Sequence, residues 1–163
     1  GNYTYLVDDE CVLLPKEYYT LPNAEYDTPC IQSNKLARLP LHGSEWNDKG
    51  IKAGIDVVKF LRANNIHNIF KILAVDVSNV GKRRFTGKSD IVLWTENNTQ
   101  IRWGCSSLCN EPNELSNEEK LQNLLSIAKS EGTNLRQMEY VDVRWKKPSG
   151  KRWAKVNDVI EER

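Results

Sequence analysis

Tyr140-Val141-Asp142-Val143-Arg144-Trp145, followed by Pro148-Ser149-Gly150 and then by Lys151-Arg152-Trp153, is the stretch that decides the fold. Val141 and Val143 alternate with the charged Asp142 and Arg144 until a Pro and a Gly interrupt the run. That pattern is a strand with one face buried, a turn, and a second strand. Upstream lies an amphipathic segment with a helix start signal, and before it a hairpin ending in Arg102-Trp103-Gly104. The chain therefore closes as strand, strand, helix, strand.

The helix start is Ser116-Asn117-Glu118-Glu119, a capping box in which Ser116 accepts from the first turn and Glu119 reaches back. Leu121, Leu124, Leu125 and Ala128 form its apolar stripe, and Gly132 is placed to end it in the left-handed conformation. The preceding hairpin joins Asp90–Thr95 to Gln100–Trp103 through Glu96-Asn97-Asn98-Thr99, where Asn tolerates the positive φ of a tight loop. Farther upstream, Ile69–Val77 is rich in β-branched residues and alternates Ile72, Ala74, Asp76 against Leu73, Val75, Val77, as a strand does. Ile51, Ile55, Val58 and Leu61 recur at helical spacing, and Asn64-Asn65 stops that helix. Nearer the start, Tyr3–Val7 and Val12-Leu13-Leu14 read as a hairpin around Asp8-Asp9-Glu10, and Leu36–Leu41 reads as a short strand kept at a sheet edge by Pro40. Between them runs a loop rich in Tyr, Pro and Asn, with Tyr18, Tyr19, Pro22, Asn23 and Pro29. The expected fold is α+β, a mixed β-sheet of about seven strands with two helices packed on one face.

Composition bounds the function. With 163 residues, 39% of them hydrophobic and five of them Trp, the chain can build one core, and residues 1–163 are expected to form a single domain. Lys and Arg number 23 against 22 Asp and Glu, so the net charge of +1 supplies no global attraction to nucleic acid. No run of about 18 apolar residues crosses a bilayer, and no charged region followed by an apolar one marks a signal peptide. A first residue, Gly1, that is not Met points to a chain cut from a longer protein.

Little in the sequence carries catalysis. His42 and His67 stand in no recognisable hydrolase spacing with Ser, Cys or a carboxylate, and each is expected at the surface or in a loop. The glycines are too scattered for a phosphate loop, and no pair of His at helical spacing offers a metal site. Asp8-Asp9 lies in a turn and Glu118-Glu119 in a first helical turn, where acidic residues serve the dipole. Four basic residues of Gly81–Lys88 surround Phe85, as in a solvated loop, with a nucleic-acid or phospholipid contact as the other reading. Of the four cysteines, Cys105 and Cys109 form one close pair and Cys11 and Cys30 another. Disulfides within each pair, a zinc site drawn from both, and free buried thiols are the open readings, and the unequal spacing argues against zinc.

A last strand at an open sheet edge leaves backbone N–H and C=O groups for a foreign segment to pair with. Trp145 and Trp153 would frame such a dock, since Trp is a frequent anchor at interfaces; the bland reading has both covering the core against the second helix.

The order of segments resembles the extracytoplasmic β domain of the FtsQ/DivIB family of bacterial cell division proteins. The resemblance runs over most of the chain: Tyr5-Leu6-Val7-Asp8, Leu39-Pro40-Leu41-His42-Gly43, a helix, Ile101-Arg102-Trp103-Gly104, a helix with Glu119-Lys120-Leu121, then Tyr140–Trp145. It implies a single-pass inner-membrane protein with this domain on the periplasmic side, its transmembrane helix and POTRA domain lying upstream of residue 1. It further implies a non-enzymatic scaffold with no cofactor, no metal, no small-molecule substrate and no nucleic acid, which binds divisome membrane proteins of the FtsB/FtsL type through its last strand. Carried over by position, the partner-binding residues are Trp145 with its neighbour Arg144, the Ser149-Gly150 turn and Trp153. The Cys105–Leu115 insertion, Lys146-Lys147-Pro148 in the last turn and the Tyr- and Pro-rich loop depart from the family pattern.

Two other classes fit the residues. A secreted carbohydrate-binding module would stack sugars on exposed Trp, and a POTRA-containing secretion protein would need a C-terminal barrel, whereas this chain ends in the charged Glu161-Glu162-Arg163.

Overall fold

A computed structural model describes residues 4–15, 27–82, 87–109 and 111–155. Among them are six strands in one mixed sheet and three helices, an α+β arrangement with one strand fewer and one helix more than expected. In chain order these are β1 (Cys30–Gln32), α1 (Lys49–Ala63), α2 (Ile66–Ile69), β2 (Ile72–Asp76), β3 (Ile91–Thr95), β4 (Gln100–Gly104), α3 (Asn117–Glu131), β5 (Met138–Asp142) and β6 (Ser149–Arg152). The strands lie side by side in sequence order. β1 is parallel to β2 and β4 to β5, while the other three pairs are antiparallel.

Strand alternation sets the two faces. Val75, Leu93, Ile101 and Val141 are cross-strand neighbours, all fully buried, and they share a cluster with Val57 and Leu61 of α1 and Leu124 of α3. Both long helices therefore pack on this face. Each such side chain, removed from water, contributes roughly 1.5–3 kcal/mol before its ordering entropy is counted. On the opposite face Trp94, Gln100 and Tyr140 lie in register on three neighbouring strands, each half-buried.

α1 begins where Asp48 Oδ1 accepts from the Ile51 N–H at 2.9 Å. The other oxygen of that carboxylate accepts from Ala37 N–H at 2.7 Å, and Ala37 O accepts from Trp46 Nε1 at 3.3 Å. These side-chain bonds hold the Leu36–Leu41 segment without a sheet partner, so the strand expected there is absent. Leu36, Leu39 and Leu41 point outward, and the sheet instead recruits Cys30–Gln32, too short to show a period. Asn65 takes a left-handed φ of 55°, which ends α1 and turns the chain into α2, an element that only the burial of Ile66 and Phe70 explains.

The expected alternation in the 69–77 strand also shifts. A bulge between Ile72 and Ala74 turns Ile72, Val75 and Val77 inward and leaves Leu73 59% exposed. The β3–β4 hairpin forms as the sequence indicates, with Asn98 at φ 64°. The opening hairpin is reduced to an antiparallel bridge between Val7 and Leu13, tightened by Asp8 Oδ1 accepting from the N–H groups of Glu10 and Val12; Tyr3 lies outside the described residues, as do Tyr18, Tyr19, Pro22, Asn23 and the centre of the basic loop. Its residues Cys11 and Leu13 pack with Trp46, Ile51 and Ile55 in a second, smaller cluster on the far side of α1.

α3 carries both halves of its capping box, with Ser116 Oγ accepting from Glu119 N–H and Glu119 Oε2 from Ser116 N–H. Its stripe is narrower than expected: Leu124 is fully buried, whereas Leu121, Leu125 and Ala128 are half-buried. Gly132 has φ 83° but ψ 159°, so the helix ends in an extended turn of positive φ and not in the left-handed helical well.

Candidate functional site

The β5–β6 ribbon is the element on which the sequence places its site residues. β6 is last in the sheet order, it pairs with β5 along one flank, and no described strand pairs with the other. All four of its residues are exposed. Ser149 and Gly150, expected as a turn, instead begin the strand, opposite Asp142 and Val141. The turn falls on residues 143–148 and is tied down from behind. Asn123 Nδ2 on α3 donates to Val143 O and Trp145 O at 3.1 and 3.0 Å, and Leu115 N–H donates to Arg144 O at 2.9 Å.

The strand continues one residue beyond its regular span, because Trp153 N–H donates to Gln137 O at 2.9 Å. Trp145 and Trp153 are 36% and 44% exposed, so each ring offers part of its surface to solvent. Arg144 is placed differently from what the alternation suggests. It and Asp142 are both buried, clasped to each other through Nε–Oδ1 at 3.0 Å and Nη2–Oδ2 at 2.8 Å. Those hydrogen bonds hold the guanidinium above its usual pKa, against the opposing effect of burial. Its carbon lies 5.0 Å from the centre of the Trp145 ring, so Arg144 positions the ribbon and the Trp presents the surface.

Gly150 sits where the ribbon is tightest. A Cβ there would come within 2.6 Å of Met138 Cε and 3.0 Å of Tyr140 O. The methyl of Met138 thus floors the strand at this point.

A second cluster, unmarked in the sequence, lies where β4 meets α3. Lys120, 2% exposed, donates to Glu114 Oε1 at 2.6 Å and to Cys105 O at 2.9 Å, beneath a shallow cavity of about 400 Å³. Burial pushes this ammonium below the usual lysine range, against the pull of Glu114. The signal was available in the spacing: Lys120 is one turn before Leu124 on the same helical line. Thr99, wholly buried in the β3–β4 loop, is the other residue that patterning passes over.

Cys105 and Cys109 are joined by a disulfide. The other possible pair is not: Cys11 is a buried free thiol whose Sγ lies 3.3 Å from Trp46 O, and Cys30 is a free, exposed thiol on β1. Among the described residues no three of His, Cys, Asp and Glu are grouped to hold a metal ion. His67, expected at the surface, is buried, with Nε2 3.0 Å from Asp27 Oδ1 and Nδ1 3.4 Å from Leu61 O. Its two nitrogens lie between a loop carboxylate and a carbonyl of α1, and a neutral ring donates to one of them at a time. No helix among the described residues is long and apolar enough to cross a membrane.

Comparison with known proteins gives no match to a family model, to a curated protein or to a solved structure.

Proposed function

We propose that this chain is a non-enzymatic docking domain of the FtsQ/DivIB type, the periplasmic part of a single-pass inner-membrane scaffold of cell division. On this reading it captures an extended segment of an FtsB/FtsL-type partner by adding it as a further strand beside β6. The observation that carries the reading is the position of β6 at the end of the sheet formed by the described residues, exposed along its length and flanked by two partly exposed Trp rings. Main-chain pairing supplies affinity to such an edge, and side chains at alternate positions supply selectivity. The order of segments that resembles the family supports the same assignment.

The test is capture of the cognate FtsB-type protein by the domain and by its Trp145→Ala and Trp153→Ala variants. Lost capture with an unchanged melting temperature is the expected result. Full capture by the double variant, or partner-induced amide shifts that avoid β6, would remove the edge from the mechanism.

A further inference from the structure

Resting on that docking reading, we infer that the segment β6 accepts is acidic, with an apolar residue opposite Gly150 and carboxylates opposite Lys151 and Arg152. The chain is close to neutral, yet between Val143 and Asn157 it carries Arg144, Lys146, Lys147, Lys151, Arg152 and Lys155 and no Asp or Glu. Arg144 is buried against Asp142, and the exposed part of this excess, Lys146, Lys147, Lys151 and Arg152, lies on β6 and the turn before it. Lys151 opposes Tyr140 and so shares the face away from the helices, while Arg152 opposes Met138 and reaches Glu131 of α3 at 2.6 Å on the other face. Lys151 touches Glu139 at 3.3 Å with 64% of its side chain exposed, and Lys146 and Lys147 are exposed without an ion pair to any described residue.

A strand laid beside β6 therefore meets positive charge on both faces and at the turn end. A second copy of β6 laid parallel would set Lys151 against Lys151 and Arg152 against Arg152, and one laid antiparallel along its whole length would offer these cations only Gly150 and Ser149; neither supplies a carboxylate, and like charges directly opposite each other destabilise a pair of strands. The same repulsion rejects a basic segment. At Gly150 alone the edge offers no charge and no bulk, only the Met138 methyl beneath, which suits an apolar side chain. Charge complementarity thus selects a foreign strand with carboxylates on consecutive positions flanking one apolar residue.

Three capped peptides decide the matter, with centres Glu-Glu-Val-Glu-Glu, Gln-Gln-Val-Gln-Gln and Lys-Lys-Val-Lys-Lys in a Thr-rich host; their symmetry makes strand direction irrelevant. The Glu peptide is expected to bind about tenfold more tightly than the Gln peptide at low salt, an advantage that shrinks at high salt, with amide shifts centred on β6. The Lys peptide is expected not to bind. Lys151→Glu with Arg152→Glu should reverse the order, and Lys146→Glu with Lys147→Glu, in a turn free of these contacts, should weaken the Glu peptide alone. Equal binding of the Glu and Gln peptides overturns the acidic selection while leaving edge docking intact. Binding of none of the three overturns both. Sedimentation of the domain with phosphatidylglycerol vesicles, lost in the same variants and unaccompanied by Glu-peptide binding, reassigns the basic edge to a lipid surface and overturns the inference.

Discussion

The guanidinium of Arg144 closes a two-point clasp on the carboxylate of Asp142, with Nε at 3.0 Å from Oδ1 and Nη2 at 2.8 Å from Oδ2, just where the chain leaves β5. Two residues apart in sequence and both buried, they fix the exit of the strand and set the Trp145 ring beside the cation. The planar fork of Arg fits a carboxylate in a way the point charge of Lys does not. Arg144→Lys should therefore cost about 1–2 kcal/mol, and Arg144→Glu, which sets two buried carboxylates together, about 3–5 kcal/mol. Urea denaturation measures both. A charge reversal at Arg144 then reads as unfolding, and not as the clean loss of partner capture that a solvent-facing Arg would give.

Lys120→Met leaves the Glu114 carboxylate and Cys105 O without their cation in a buried site. Loss of one member of such a pair is expected to cost about 3–5 kcal/mol at neutral pH. The pH dependence is distinctive. Burial lowers the folded-state pKa of Lys120 below the value of 10.5 that an unfolded chain restores. Between those two values the unfolded state binds more protons, so the parent protein gains stability as pH rises through that window, and the penalty for burying the charge is fully present below it. The Met variant lacks this gain. Denaturation curves of the two proteins from neutral pH to about 10 should show the parent improving relative to the variant.

Thr99 Oγ1 lies 2.9 Å from Leu135 O and 2.8 Å from Met138 O, and its single proton serves one of them at a time. This hydroxyl ties the β3–β4 loop to the start of β5. Thr99→Val keeps the shape and removes the donor, and is expected to cost about 1–3 kcal/mol in denaturant unfolding. Thr99→Ser, which keeps the hydroxyl, should lose less.

The Cys105–Cys109 disulfide closes a short loop in which Ser107 N–H and Oγ bind the Asp56 carboxylate of α1 at 2.7–2.8 Å. A loop of this length constrains the unfolded chain modestly. Cys105→Ser with Cys109→Ser should lower stability by about 2 kcal/mol. Cys30, exposed and unpaired, should react with a thiol reagent in the native protein, whereas Cys11 should react only on unfolding, because burial raises its pKa and hides its sulfur. Mass spectrometry after timed alkylation distinguishes the two.

Patterning was sufficient for several elements whose decisive interaction is local. The capping box at Ser116 and Glu119, the helix through Ile51 and Leu61 and the hairpin around Asn98 all depend on residues within a few positions of each other, so the period and the turn chemistry specify them. The short strand Cys30–Gln32 and the irregular path of Leu36–Leu41 escaped that logic. The first has a single apolar residue and is formed by parallel pairing with a segment far along the chain, and the second is held by an Asp48 carboxylate already engaged in capping α1. The site divides the same way. The exposure of Trp145 and Trp153 was one of two readings the sequence left open, while the inward turn of Arg144 was not legible, because charge pattern alone assigns it to water, and the burial of Lys120 shows only in its helical line with Leu124.

By itself the sequence determined the two long helices, the central strands of the sheet, the α+β class, and the concentration of positive charge in its last turn and strand, all of them properties of near neighbours. Tertiary structure alone decided that β6 lies last in the sheet of the described residues, that a bulge after Ile72 exposes Leu73, and that Cys11 and Cys30 remain apart. These outcomes depend on which distant backbone groups pair and which side chains fill the space between sheet and helices. Neither quantity is carried by the spacing of residues along the chain.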